Sequence, residues 1–326
     1  MSDFWNSKKV FLTGADGFIG AWLAEGLIEK GAEVFVIIRD IKKICGLDLL
    51  KIKNKVEIIN GDIIDLKCIE RIINEKEIDT VFHLAAQALV SIANKSPIST
   101  FESNIRGTWN ILEACRLKSG VKRIIIASSD KAYGSQKELP YKEESPLLGI
   151  YPYDASKACA DIIARSYFET YNLPVSVTRN ANTYGGGDLN TSRIIPGAIC
   201  TMIKRKEFEI RSDGTPERDY MYVKDAVDAY LTLGKNLNKK AKGEAFNFGT
   251  GNPISVKKLI YLIAKQMGIK DFKSKIRGEA KNEIDRQFLD ISKVKKFFGW
   301  EPRYSIEEGL QETIQWYKSN REILGL

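Results

Sequence analysis

The sequence predicts an α/β fold with a doubly wound parallel sheet at its centre. Three observations carry that expectation. Strand-like apolar runs alternate with helix-length amphipathic stretches through the first half, a glycine-rich turn joins the first run to the first helix, and no repeat or long linker interrupts the pattern. Strands are expected at 10–13, 33–38, 56–59, 80–84, 123–128 and 175–179, with helices at 18–30, 98–118 and 153–171. After residue 180 the periodicity becomes irregular, with glycine-rich turns at 185–188 and 212–215 and a closing amphipathic stretch at 305–318.

Composition bounds the answer. The 326 residues are 44% hydrophobic and 28% charged, which excludes disorder, collagen-like repeats and a disulfide-stapled miniprotein. The net charge of +8 is unevenly spread: residues 1–200 carry 25 basic and 24 acidic side chains, residues 201–326 carry 25 and 18. A basic C-terminal third points to an anionic partner, whether nucleic acid, membrane or a phosphorylated small molecule. Five scattered cysteines and a single histidine, His83, argue against a metal site. With no secretion-signal core and no run of 18 apolar residues, a reduced cytoplasmic protein that does not span a membrane is expected.

The turn after the first strand reads Thr13-Gly14-Ala15-Asp16-Gly17-Phe18-Ile19-Gly20. Glycines there let backbone approach a pyrophosphate closely, and the following helix offers unpaired N–H groups and the positive end of its dipole. Gly14, Asp16, Gly17, Phe18 and Ile19 are therefore candidate dinucleotide contacts. Asp40 lies 20 residues beyond Gly20, where a carboxylate binds the ribose hydroxyls of NAD; Arg39 beside it suits the 2′-phosphate of NADP. NAD is the expected cofactor and NADP the alternative. Asp62 and Ile63, after the third strand, are candidates for the adenine edge, with an ordinary Asx turn as the other reading. Leu84, Ala85 and Ala86, after the fourth, would let backbone pass close to the cofactor.

Tyr153 and Lys157 are four residues apart at the start of a helix and so share a face. A phenol is a poor base at neutral pH, and a neighbouring ammonium is expected to lower its pKa. Ser129, at the end of the fifth strand, could hydrogen-bond the same substrate hydroxyl. On these residues, with His83-Leu84-Ala85-Ala86, the stretch from Asn104 to Ala114, the stretch from Arg179 to Asp188, the stretch from Arg218 to Val223 and the closing segment from Gly299 to Tyr317, the chain resembles the extended short-chain dehydrogenase/reductases. Within them it resembles the NAD(P)-dependent nucleotide-sugar epimerases and dehydratases. The resemblance implies a Rossmann-type domain at 1–180 plus 218–250, a smaller α/β nucleotide-sugar-binding region at 181–217 plus 251–326, and a catalytic Ser129, Tyr153 and Lys157, with Tyr153 and Lys157 also touching the cofactor. Asp130 and Lys131 decide the branch. An adjacent acid and base suit a 4,6-dehydratase, in which Lys131 removes the C5 proton and Asp130 protonates the departing C6 hydroxyl after oxidation at C4. The closest resemblance is to CDP-glucose 4,6-dehydratases. The alternatives are a 4-epimerase or C4 oxidase/reductase and, from another class, a non-catalytic dinucleotide-sensing module.

A nucleotide-diphosphate sugar calls for arginines that can grip its diphosphate. Arg218, Arg193 and Arg286 are the candidates, with Asn182 beside the diphosphate or nucleoside. Gln87 is expected to face cofactor or sugar, and Asn104 is expected to order nearby backbone, with a direct substrate contact as its other reading. His83, alone at a strand end, reads as packed and hydrogen-bonded. Lys239, Lys240 and Lys242 read as solvated surface. The resemblance also implies a homodimer through the helices carrying Asn104 and Tyr153. No aromatic-basic motif supports nucleic-acid binding.

Overall fold

The computed structural model describes residues 3–40, 44–118, 120–237, 240–269, 272, 274–278 and 284–326; Lys239 lies outside them. At its centre is a sheet of β1 (Lys9–Thr13), β2 (Glu33–Ile38), β3 (Glu57–Asn60), β4 (Thr80–His83), β5 (Arg123–Ala127), β6 (Val175–Asn180) and β7 (Ala245–Phe248). Their order is β7-β6-β5-β4-β1-β2-β3, and every pairing is parallel. The order reverses between β1 and β4, so the crossovers leave in opposite directions and open a crevice beyond the carboxyl ends of those two strands. Six strands match the expected apolar runs. The seventh is only four residues long and pairs Ala245 with Val177 through Phe248 with Asn180; a run that short gives no periodicity to read.

The helices that matter to the crevice are α1 (Phe18–Glu29), α2 (Leu66–Glu75), α3 (Gly107–Leu117), α4 (Pro152–Tyr171), α5 (Ile194–Ile203), α6 (Val223–Lys235), α7 (Val256–Gln266) and α8 (Ile306–Ser319). The long helix expected at 98–118 is interrupted by a π-helical turn at Glu102–Arg106. That turn carries the buried Asn104, in keeping with π-turns marking functional positions.

Each face of the sheet buries its own apolar layer. One unites Leu12, Leu23, Leu27 and Phe82 with Tyr230 and Leu233 of α6, the other Phe11, Ile72, Ile111 and Ile126 with Val177. A separate core joins α5, α7 and α8 around Tyr184, Tyr220 and Tyr222. Domain bookkeeping needs one correction. Leu289, Val294 and Trp300, expected in the second region, pack into the first core, because Phe297, Phe298 and Trp300 stack edge-on or tilted against Phe246 and Phe248 of β7.

A buried ion pair ties these layers together. Arg179, 1% exposed at the end of β6, donates through Nε and Nη2 to both carboxylate oxygens of Asp161 on α4, at 2.8 and 3.0 Å. Its Nη1 donates to the Tyr133 hydroxyl at 2.8 Å and to the Glu143 carbonyl at 2.9 Å. Tyr133 in turn donates to Asn247 of β7 at 2.7 Å. Asp161→Asn would leave the guanidinium buried without its counter-ion; we expect a loss of about 3–5 kcal/mol, measured by urea unfolding, and a loss below 1 kcal/mol would remove the pair from this role.

Candidate active site

The glycine turn is shaped for close approach. Gly14 has φ +77°, and a Cβ there would lie 2.7 Å from the Ala85 nitrogen, so only glycine lets β1 turn beneath the Leu84–Ala85 backbone. Gly20 packs α1 directly on the Gly14 carbonyl. The first turn of α1 has no side-chain cap and no acidic residue, which leaves its N–H groups and positive dipole end open to an anion. Phe18 and Ile19 turn their side chains into the apolar cores, so backbone is what they offer. Asp16 is half-buried, and its carbonyl accepts from the Gly46 N–H.

Arg39 and Asp40, the two opposed cofactor selectors, pair with each other through Nε at 2.8 Å and Nη2 at 2.7 Å. Arg39 Nη1 also lies 3.8 Å from Asp62. Asp62 Oδ1 accepts from the Ile64 N–H at 3.2 Å, the Asx turn of the ordinary reading. Ile63 is buried against Gly107, and its carbonyl accepts from Asn110 at 3.1 Å.

His83 is packed and hydrogen-bonded as expected. The Ala85 N–H donates to Thr13 Oγ1 at 3.1 Å, Thr13 Oγ1 contacts His83 Nδ1 at 2.8 Å, His83 Nε2 contacts Thr108 Oγ1 at 3.1 Å, and Thr108 donates to the Asn104 carbonyl at 2.6 Å. With the Thr108 proton committed to Asn104, the chain is self-consistent when His83 carries its proton on Nε2. Burial, with Lys157 nearby, pushes the imidazole down to about 3.

Asn104 orders nearby backbone, the first of its two readings, rather than pointing a free amide at a ligand. Its Oδ1 accepts from the Gln87 N–H at 2.7 Å, and its Nδ2 donates to the Gln87 carbonyl at 3.2 Å and to Ser156 Oγ at 2.9 Å. Those bonds occupy the amide in ordering backbone. Gln87 is half-buried beside it, and its own Oε1 accepts from the Leu89 N–H at 3.0 Å.

Ser129, Asp130, Lys131, Tyr153 and Lys157 converge at the carboxyl end of β5. Asp130 begins a 3₁₀ turn, Asp130–Tyr133, capped by Ser129 Oγ, which accepts from the Lys131 N–H at 3.2 Å. Ser129 Oγ also donates to Asp130 Oδ1 at 3.0 Å and hydrogen-bonds the Tyr153 phenol. Asp130 Oδ2 is buried with no hydrogen-bond partner among the described residues. The electrostatics differ from expectation at Tyr153. Burial pushes its phenol up to about 12, and Arg193 is the cation that most opposes the rise. Lys157 Nζ instead donates to the Ala127 carbonyl at 2.7 Å, and burial brings its ammonium down to about 8.

Among the substrate candidates, Arg193 caps α5, pairs with Asp188 at 2.9 Å and acts on Tyr153. Arg218 lies half-buried on a short strand, Glu217–Arg218, next to Arg286–Gln287. Arg286 is turned outward, 54% exposed, with Nε on Glu217 at 2.7 Å. Asn182 donates to the Asp219 carbonyl at 3.3 Å.

Residues 11–313 match the family model described as GDP-mannose 4,6 dehydratase. The chain belongs to that family. It is 29% identical to the CDP-glucose 4,6-dehydratase of Salmonella typhimurium over 97% of its own length and 92% of that protein's. The dTDP-glucose 4,6-dehydratase of Bacillus anthracis, solved in complex with NAD, superposes with a TM-score of 0.85 at 28% identity, covering 97% of this chain and 98% of that one. The UDP-glucose 4-epimerase of Thermotoga maritima, solved with UDP-glucose, gives 0.88 at 30% identity, covering 96% and 99%. The chain spans about half the length, 48%, of the trifunctional UDP-glucose 4,6-dehydratase/3,5-epimerase/reductases of Arabidopsis thaliana, with which it is 32% identical over 98% of its own length.

Sequence reasoning missed two residues beside the Asp130–Tyr133 turn. Asp154 is buried, its carboxyl is pushed up to about 6 by burial, and it interacts with Lys131 and Asp130. In sequence it is hidden as an ordinary acidic residue in a helix's first turn. Gln287 is fully buried and reaches the turn from 156 residues away; no local signal announces it.

The His83 chain yields a pH test. The native imidazole titrates near 3 against about 6.5 when unfolded, so the unfolded state takes up the proton first and stability falls as pH drops through that window. Between pH 7 and 4, wild type should lose about 3 kcal/mol more than His83→Gln in urea unfolding; equal losses would contradict a buried neutral histidine.

Proposed function

We propose that this protein is a nucleotide-sugar 4,6-dehydratase that uses NAD and acts on a CDP-glucose-like substrate. The observation that carries the reading is the capped turn that sets a buried Asp130 carboxyl beside Ser129, whose hydroxyl also reaches Tyr153, and puts Lys131 next in the chain with its amine interacting with Asp154. The relatives named above as 4,6-dehydratases, one of them solved with NAD, support it. The cradle around Gly14 and the open first turn of α1 fit a dinucleotide pyrophosphate. When bound, NAD supplies the transient oxidation at C4 and returns the electron pair at C6, so no net cofactor reduction accompanies turnover.

The chain's own residues handle the protons. Tyr153 Oη takes the C4 hydroxyl proton, steadied by Ser129 Oγ. A phenol held near 12 is a reluctant base, so the site needs positive charge beside it, which Arg193 already begins to provide. Oxidation at C4 makes the C5 hydrogen acidic. Lys131 Nζ removes it, and the Asp130 carboxyl delivers a proton to the C6 hydroxyl, which leaves as water. Lys157 is within the same buried pocket to hold the nicotinamide ribose once it exchanges its bond to Ala127. Arg218 and Arg193 are the half-buried cations available to the diphosphate, with Arg286 at the rim.

Asp130→Asn and Lys131→Met test the reading. Each should cut formation of the 4-keto-6-deoxy product from CDP-glucose by about 10²–10⁴-fold, followed by NMR, while nucleotide binding by calorimetry persists. A 4-epimerase would keep its activity in both variants. A homodimer through the face bearing Ile98, Phe101, Trp109 and Ile162, at 76%, 37%, 42% and 51% exposure, is part of the same proposal. Ile98→Asp should shift the mass seen by light scattering from dimer to monomer, and a wild-type monomer would refute it.

A further inference from the structure

We propose that Gln287 is the positioning residue for the Lys131 amine, an inference that rests on the dehydratase reading. Gln287 is fully buried, the inward member of a two-residue strand, Arg286–Gln287, whose arginine faces outward. Its carboxamide is committed at both ends. Oε1 accepts from Lys131 Nζ, and Nε2 donates to the Asp130 carbonyl at 3.1 Å. Both bonds land on the two residues assigned to the elimination.

An amide is the group that this position requires. A base at C5 must present an unprotonated nitrogen, and an N–H directed to a carbonyl oxygen fixes where the lone pair points without a counter-ion to hold the proton on. Asp154 already interacts with Lys131 through its carboxyl group, and Asp130 is its neighbour in the turn. A third carboxylate would favour the ammonium and weaken the base. The second bond, to the Asp130 carbonyl, fixes the amide's orientation, because only Nε2 can donate there.

The strand also links the amine to the substrate side. Gln287 pairs in register with Arg218, and the Asp219 N–H donates to the Gln287 carbonyl at 3.2 Å. Asp219 clamps the Thr250 and Gly251 N–H groups at 3.0 Å each and the Thr250 hydroxyl at 2.5 Å. The strand that carries the diphosphate arginine is thus braced against the strand that holds the base, and movement of one is felt at the other.

The test is the pH dependence of kcat for CDP-glucose dehydration by the NAD-loaded enzyme, with deuterium incorporation at C5 from D₂O read by NMR, in wild type, Gln287→Met and Gln287→Glu. Methionine keeps the volume and removes the polar atoms; glutamate keeps the shape and adds charge. With Gln287→Met, kcat and C5 deuteration should fall together by about 10²-fold, KM should change little, and the acid-side limb should move to lower pH. With Gln287→Glu the limb should move to higher pH. Opposite movements are beyond a merely structural role, which would lower kcat without them. Wild-type turnover accompanied by limbs that stay put in variants of normal melting temperature overturns the inference alone. A wild-type enzyme that makes no 4-keto-6-deoxy product overturns the dehydratase reading and the inference with it.

Discussion

Arg179 carries a permanent charge into a region with almost no water, and Asp161 answers it from a neighbouring helix. Two buried ions cost so much hydration that their attraction alone is a weak argument for stability. What the pair contributes is geometry. The guanidinium fork accepts one arrangement, two bonds to Asp161, one to Tyr133 and one to the Glu143 carbonyl. Tyr133 ends the 3₁₀ turn that begins at Asp130. Asp161 lies one turn of α4 beyond Lys157, so the fork sets the distance between the turn that bears Asp130 and Lys131 and the helix that bears Tyr153 and Lys157. Apolar residues of the same volume would pack there without fixing that register.

Burial then sets the chemistry. The same dry pocket raises Tyr153 to about 12, lowers Lys157 to about 8 and raises Asp154 to about 6, each shift disfavouring the charged form. Asp154 and Lys157 are thereby moved toward neutral pH and Tyr153 away from it. The pocket also makes proton positions sensitive to any cation that enters, because a low dielectric magnifies every new field. Lys157 on the Ala127 carbonyl and Arg193 on Asp188 are cations held by protein groups that a bound ligand can replace.

The sequence carried much of this site because the relevant residues are local. Gly14 to Gly20, Ser129 to Lys131 and Tyr153 to Lys157 are short motifs whose spacing shows in the sequence which side chains lie together. Asp154 was missed although it adjoins Tyr153, because only burial distinguishes it; other contacts were hidden by long separations. Gln287 meets Lys131 across 156 positions and Arg179 meets Tyr133 across 46; each reads in isolation as an ordinary polar residue of a short strand. Asn104 was legible for the same reason as the local motifs: a polar residue beside a glycine-bearing stretch reads as ordering backbone, and its amide is taken up by Gln87 and Ser156.

By itself the sequence determined the parallel sheet, the glycine turn between β1 and α1 and the local grouping of Ser129 to Lys131 and of Tyr153 with Lys157, because periodicity and short-range spacing are set by backbone geometry within one or two elements. The tertiary structure decided the seventh strand, the packing of 289–300 on the first core and the protonation tendencies of Tyr153 and Lys157. These depend on which groups from distant parts of the chain exclude water from one another, and burial is a property of the assembled molecule that no stretch of sequence contains.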